Sequence, residues 1–297
     1  MRRSVSGSAW PPCDMRDLRE YRRPGSAREA VEIKMTYGTR ARYLAGGSDL
    51  LVHKPASVEV AVDIRHAGIG AVREEDGGFV LGGAALLRDV DRVAGGAAGG
   101  MFGLAVRNTA PWLIRNAATL AGNVANASPA ADGIPALLAL DAELVLLGET
   151  ETRVPLDGIF EGPHRTTLGD RLILEMRIPA SACRRAGAFI KLARSKSDIA
   201  QVNLAVSFRP DGEMLRDVRI ALGAVAPVPM RASEAERMLE GRFPDPETLQ
   251  EAGRCVEEEV RPISDWRASE AYRRRMSGVL VRRAIESAVQ TDTGVQT

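Results

Sequence analysis

The run Ile114-Arg115-Asn116-Ala117-Ala118-Thr119-Leu120-Ala121-Gly122-Asn123, with Asp132 nine residues further on, gathers a small-residue turn, a hydroxyl, an amide and a carboxylate in one short stretch. Small residues let backbone N–H groups come close to a ligand, and such amides suit phosphate or ribose oxygens. Taken alone, the run also reads as an ordinary glycine turn ahead of a helix. A second turn of the same kind, Leu44-Ala45-Gly46-Gly47-Ser48-Asp49-Leu50-Leu51, lies about 75 residues earlier and enters an apolar segment. The sequence holds no GxGxxG and no GxxxxGK[ST], so neither a Rossmann nor a P-loop phosphate site is present. Two amide-rich loops are a different way to hold a pyrophosphate, without a paired arginine. No nucleophile–base pair stands out.

The elements that must carry these groups follow from pattern. Ser26 to Met35 reads as a helix, with Ser26 as N-cap and Glu29 completing a capping box. Tyr43 to Ala45 reads as a strand delivering the first loop, and Leu50-Leu51-Val52 continues apolar. Val58 to Ile64 alternates as a half-buried strand does, and Gly77-Gly78 reads as a turn into the strand Phe79-Val80-Leu81. After Leu86 the period becomes helical. A helix is expected over Pro135 to Leu140, for which Asp132 could serve as cap, then strands over Ala142 to Leu147 and Leu172 to Ile178, the latter closed by Pro179. Past a boundary near Ser181 to Ala186 come strands over residues 187–192, 201–209 and 218–224, with Asp211-Gly212 as hairpin turn. Helices follow over Ser233 to Leu239, Pro246 to Val260 and Ser269 to Val289, so strands followed by helices give an α+β arrangement.

At 297 residues the chain can fill two or three packed units. Its 40 basic and 39 acidic residues leave a net charge of +1, which gives no electrostatic footprint for nucleic acid. The Arg273-Arg274-Arg275 and Arg282-Arg283 runs read as the solvated face of a helix or a subunit contact. No apolar run approaches the roughly 18–20 residues that span a bilayer. Three scattered cysteines form no CxxC pair and suggest a reducing compartment, hence the cytoplasm. Three scattered histidines make a protein-bound metal site unexpected. The first 14 residues lack the apolar core of a signal peptide and read as an extension ahead of a start at Met15-Arg16-Asp17-Leu18.

The two loops, in this order and wording, resemble the FAD-binding medium subunit of the molybdenum hydroxylase (xanthine dehydrogenase) family. That family carries AGG[TS]DL in one flavin loop and IRN-x-[GA]-T-x-GGN-x-x-N-[AG]-x-[PS]-x-[AS]-D in the other. Gly223-Ala224-Val225-Ala226-Pro227-Val228-Pro229-Met230-Arg231, Trp266-Arg267-Ala268-Ser269, Tyr272-Arg273-Arg274-Arg275-Met276 and Val279 to Ala284 fit its C-terminal domain, so the resemblance covers Met15 to Gln290. It implies an α+β fold: an FAD-binding domain of the vanillyl-alcohol-oxidase type over residues 15–182, made of two α/β subdomains (about 15–68 and 69–182). A C-terminal domain of the CO dehydrogenase flavoprotein type would follow over 183–290, with a tail over 291–297.

The resemblance also implies roles. Tyr43, Leu44, Ala45, Gly46, Gly47, Ser48, Asp49 and Leu50 would wrap the FAD pyrophosphate, mostly through N–H groups. Thr119, Leu120, Ala121, Gly122 and Asn123 would face the flavin and pyrophosphate, Asp132 would accept ribitol or ribose hydroxyls, and Ile173 would line the flavin pocket. Phe189 to Ala200 matches F-x-K-x-x-x-R-x-x-x-D-x-A, which makes Lys191 the flavin-proximal cation. Three positions depart from the pattern. Ala121 and Ala118 replace glycines and Leu113 replaces a glutamine; a positive φ at Ala121 would cost about 1 kcal/mol or more. The implied function is an electron relay. A partner subunit with [2Fe–2S] clusters passes electrons through FAD to NAD⁺ or another acceptor, while a molybdenum-cofactor large subunit oxidises the substrate. Val260-Arg261-Pro262 and Ser264 to Ser269 look most like bacterial xanthine dehydrogenase FAD subunits. The alternatives are the FAD subunit of another aromatic or CO dehydrogenase of the family, a scaffold subunit that has lost FAD, and a stand-alone flavin oxidoreductase.

Overall fold

In a computed structural model, residues 18–53 and 55–292 are described. The extension over 1–14, the start motif at Met15 to Asp17 and the end of the tail lie outside them.

The first helix, α1 (Ala27–Tyr37), starts where its cap chemistry dictates. Ser26 Oγ accepts from the Glu29 amide at 3.2 Å, and Glu29 Oε2 reaches back one residue further than a standard capping box, to the Gly25 amide at 2.7 Å. The helix packs on a three-stranded parallel sheet in which β3 (Val60–Asp63) lies between β1 (Glu20–Arg22) and β2 (Ala41–Leu44). All four β3 residues are buried. The half-buried alternation expected over Val58 to Ile64 is therefore corrected: a central parallel strand is covered on both faces. Asp63 tolerates burial because Arg65 and Tyr21 donate to it.

A second, antiparallel sheet has the order β4 (Val72–Glu75), β5 (Gly78–Gly82), β10 (Leu172–Ile178), β6 (Glu143–Leu147), β7 (Glu151–Pro155). The β4–β5 turn is made by Asp76 and Gly77, both left-handed at φ 53° and 77°, with Glu75 paired to Gly78. This moves the turn one residue ahead of the expected Gly77-Gly78 and matches the two positive φ angles a two-residue hairpin needs. Helices α2 (Leu87–Ala94), α3 (Met101–Thr109), α5 (Leu120–Asn126) and α6 (Gly133–Ala139) contribute to a core with Leu81, Leu144, Leu146, Ile173 and Met176 of this sheet. The short helix α4 (Trp112–Arg115), the hairpin β8 (Phe160–Gly162) and β9 (Arg165–Thr166), and the one-turn α7 (Ala180–Cys183) complete this part.

The third sheet, β11 (Ala186–Leu192), β12 (Val202–Asp211), β13 (Met214–Gly223) and β14 (Met230–Arg231), is antiparallel. Its alternation serves two partners. Leu204, Val206, Phe208, Ile220 and Leu222 face a core shared with α8 (Ser233–Leu239), α9 (Pro246–Glu259) and α10 (Glu270–Asp292). Phe189, Ala205 and Ala221 face the other way, into the core that holds α3 and α6. The sheet thus presses its second face onto α6, and Ser207 Oγ donates to the Ala139 carbonyl at 2.6 Å. The arginine run at the start of α10 is not the solvated face expected for it. Arg273 is buried and donates to the Gln201 and Ala224 carbonyls and to Asp265, while Arg274 donates to the carbonyls of Glu257 and Val260; Arg275 alone of the three is exposed.

Candidate functional site

The two small-residue loops come together. Gly46 lies so close to the second loop that a Cβ built on it would stand 2.2 Å from the Ala117 oxygen and 2.7 Å from the Ala118 Cα. Glycine is required there by contact, not by conformation. Gly47 is required by conformation, with φ 68°, and a Cβ on it would sit 2.8 Å from the Leu51 side chain. The chain then coils back: Leu51 donates to the Gly47 carbonyl, and Val52 and His53 to the Asp49 carbonyl. The amides of Gly46 through Leu50 donate no hydrogen bond among the described residues. Asp49 ties this loop to the C-terminal end of α5, accepting from Asn126 Nδ2 at 3.0 Å. Leu44 is buried, Tyr43 and Ala45 are half-buried, and Ser48 and Asp49 are exposed. Tyr43 donates its hydroxyl proton to the Asp170 carbonyl at 2.8 Å, and burial followed by the nearby Asp170 charge pushes its pKa above the usual range.

Thr119 and the residues after it form a capped helix start rather than a loop. Thr119 is the N-cap of α5, and its Oγ1 accepts from the Gly122 amide at 3.0 Å. Leu120 and Ala121 are buried in the first turn, and Ala121 has no positive φ. The strain considered for Ala121 is therefore absent, and its methyl group packs in the core. Gly122 is exposed at the surface of that turn. Asn123 Oδ1 is buried without a hydrogen-bond partner among the described residues. Leu113, expected near this loop as a lost polar group, is 78% exposed on α4 beside the exposed Trp112.

Asp132 stands at the cap position of α6, yet its side chain makes no capping bond. Instead Oδ2 accepts from Lys191 Nζ at 2.7 Å and Oδ1 from Asn203 Nδ2 at 2.6 Å. Lys191 also donates to the Asn108 carbonyl at 3.1 Å and is only 8% exposed. Burial pushes the Asp132 carboxyl up, against the opposing pull of the Lys191 ammonium and the hydrogen bonds from Lys191 and Asn203. Ile173 is buried at an irregular step of β10, its carbonyl against Gly83, where no Cβ would fit. Asn203 was not among the residues singled out from sequence. Its signal was present: a lone amide in the apolar run Val202 to Phe208, four residues before Ser207 and so on the same face, toward α6.

This arrangement suits an elongated, phosphate-bearing ligand. Unpaired amides line one loop, an orphaned carbonyl oxygen lies in the neighbouring helix turn, and a buried carboxylate–ammonium pair sits at the junction with the third sheet.

Comparison with known proteins decides the family. Residues 15–181 match the FAD-binding domain in molybdopterin dehydrogenases, and residues 187–288 match the CO dehydrogenase flavoprotein C-terminal domain. The chain belongs to this family of FAD-binding molybdopterin dehydrogenase subunits. It is 32% identical to the carbon monoxide dehydrogenase medium chain of Hydrogenophaga pseudoflava over 91% of this chain and 96% of that one. It is 28% identical to the xanthine dehydrogenase FAD-binding subunit of Escherichia coli O157:H7 over 94% and 99%. A solved structure of the Hydrogenophaga pseudoflava carbon monoxide dehydrogenase superposes with a TM-score of 0.88 at 31% identity, covering 92% of this chain and 98% of that one. The flavoprotein fold expected from the sequence is therefore established, as are FAD as cofactor and membership of an oxidoreductase complex. Among the described residues no helix is long and apolar enough to cross a membrane.

Proposed function

We propose that this chain is the electron-relay subunit of a molybdenum hydroxylase, passing electrons from a [2Fe–2S] partner through FAD to NAD⁺ or another acceptor. The observation that carries the reading is the contact of Gly46 with Ala117 and Ala118, which sets the first loop, with its unpaired amides, against the turn that leads into α5. When bound, FAD supplies the exchange between single electrons and electron pairs. The chain's residues hold and tune it. The amides of Gly46 to Leu50 bind the pyrophosphate, with Tyr43, Leu44 and Ala45 fixing the loop that presents them. Thr119 to Asn123 close over it, and Ile173 gives the ring an apolar wall. Of the three N–H bonds on Lys191, two go to Asp132 and the Asn108 carbonyl, and the third is free to donate to the ring. Asp132 keeps lone pairs free beside its two bonds and accepts ribitol hydroxyls.

The substrate is oxidised on the molybdenum-bearing partner. Val260 to Pro262 and Ser264 to Ser269 favour a xanthine- or purine-type complex, while the 32% identity to a carbon monoxide dehydrogenase medium chain favours a second reading within the same relay chemistry. A reducing, cytoplasmic setting accords with three dispersed cysteines. Co-expression with molybdenum and iron–sulfur subunits should give a co-purifying complex with substrate-dependent acceptor reduction. The lone chain should reduce an artificial dye with NADH but oxidise no hydroxylase substrate. Substrate turnover by the lone chain, free of molybdenum and iron, would overturn the relay.

A further inference from the structure

We infer that Asn203, seated over Gly223, is the positioning residue that aims Asp132 at the cofactor. The inference rests on the reading that Asp132 and Lys191 face FAD.

Asn203 is fully buried in β12. Its Nδ2 donates to Asp132 Oδ1 at 2.6 Å and to the Ala130 carbonyl at 3.3 Å, so both amide hydrogens go to the segment that precedes α6. Two acceptors on that side fix which end of the carboxamide points there. Oδ1 is left buried with no partner among the described residues. The opposite residue on β13 is Gly223, and a Cβ there would stand 2.2 Å from Asn203 Oδ1. Only glycine leaves room for the carboxamide to lie across the neighbouring strand and reach Asp132.

The consequence is electrostatic as well as steric. Burial disfavours the charged carboxylate, and a donated hydrogen bond favours it. Lys191 on β11 holds one oxygen and Asn203 on β12 the other, so the carboxylate cannot rotate between them. Asn108 meets the pair from α3 through its carbonyl, bound to Lys191, and Asn123 approaches Gly133 from α5. Lys191 is the charged side chain that meets Asp132 among the described residues. Without Asn203, one oxygen of a buried carboxylate has lost its donor, and the carboxyl is pushed further up.

The test is FAD titration of the full-length apo-protein by flavin fluorescence between pH 5.5 and 8, with melting temperatures recorded alongside. Asn203→Ala and Gly223→Ala should each weaken FAD binding by about tenfold or more, the scale of a lost hydrogen bond to a charged group. The double variant should be no weaker than either single one, because both remove the same bond. Asn203→Asp is nearly isosteric and puts a second carboxyl against Asp132. It should bind poorly at pH 8 and recover as pH falls, when a shared proton restores the donor, a recovery the wild type does not show. Wild-type affinity in all variants would overturn the inference. So would weakening that merely follows melting temperature, with no pH recovery in Asn203→Asp. A wild-type protein that binds no FAD at any pH would instead remove the underlying reading.

Discussion

Replacing Gly46 by alanine tests the cradle at its tightest point. The added Cβ would lie 2.2 Å from the Ala117 oxygen and 2.7 Å from the Ala117 carbon and Ala118 Cα, where real Cβ atoms essentially never come within 3.0 Å. These are backbone atoms and cannot rotate away, so the two loops must part by about 0.8 Å. Gly46 has no positive φ, and the cost is therefore overlap alone. Overpacking of this kind costs about 1–3 kcal/mol. In the apo-protein the exposed side of the first loop can relax outward; binding must draw it back, so the cost falls on the bound state. At 1.4 kcal/mol per tenfold, FAD should bind roughly 5- to 150-fold more weakly. Titration of apo-protein with FAD reads this directly. Gly96→Ala is the control, since nothing lies within 4 Å of a Cβ there and its φ is not positive, and it should leave affinity unchanged. Wild-type affinity in Gly46→Ala would refute the argument that contact between the loops builds the site.

Ala121→Gly restores the glycine of the family pattern, yet Ala121 is buried in a helix turn without positive φ. It should lower the melting stability by about 1 kcal/mol and leave FAD affinity no tighter; tighter binding would show that the methyl group obstructs the cofactor. Asp265 is half-buried, and its partial loss of water pushes its carboxyl up, but hydrogen bonds from Arg267 and Ala268 and the Arg267 charge hold it well below the usual range. A depressed native pKa stabilises the fold above the unfolded value, about 4 for Asp, and that contribution is lost as pH falls toward the native value. Asp265→Ala strands the buried Arg273 and should cost about 3 kcal/mol. In urea melts the gap to wild type should stay constant from pH 8 to 5 and narrow below about pH 4; a constant gap down to pH 3 would contradict this.

What the sequence disclosed divides along a physical line. Features set by local chemistry could be read directly: Ser26 and Glu29 capping α1, Pro179 ending β10, the bounds of α8. The two glycine loops were readable because their residue types are themselves unusual. Features set by remote partners were not. The alternation around β3 concealed a strand buried on both faces, because coverage depends on α1 and on two parallel neighbours. Arg273 sits in a run of three arginines that looks solvated, yet its two carbonyl acceptors lie 72 and 49 residues away in sequence. Asn203 reaches Asp132 across 71 residues, and no periodicity within its own strand announces that. The same limit hid the role of Ala121: whether an alanine in place of a glycine strains the chain depends on φ, and residue type alone does not give φ.

These loops and the Asp132–Lys191 pair are expected to hold one FAD without a covalent bond, since neither loop contains His or Cys. Heat or acid denaturation of the purified yellow protein, followed by identification and quantification of the flavin in the supernatant, tests it most directly. Free FAD at about one per chain is the expected result. FMN in its place, flavin retained on the denatured polypeptide, or a chain that neither carries nor takes up flavin would contradict it.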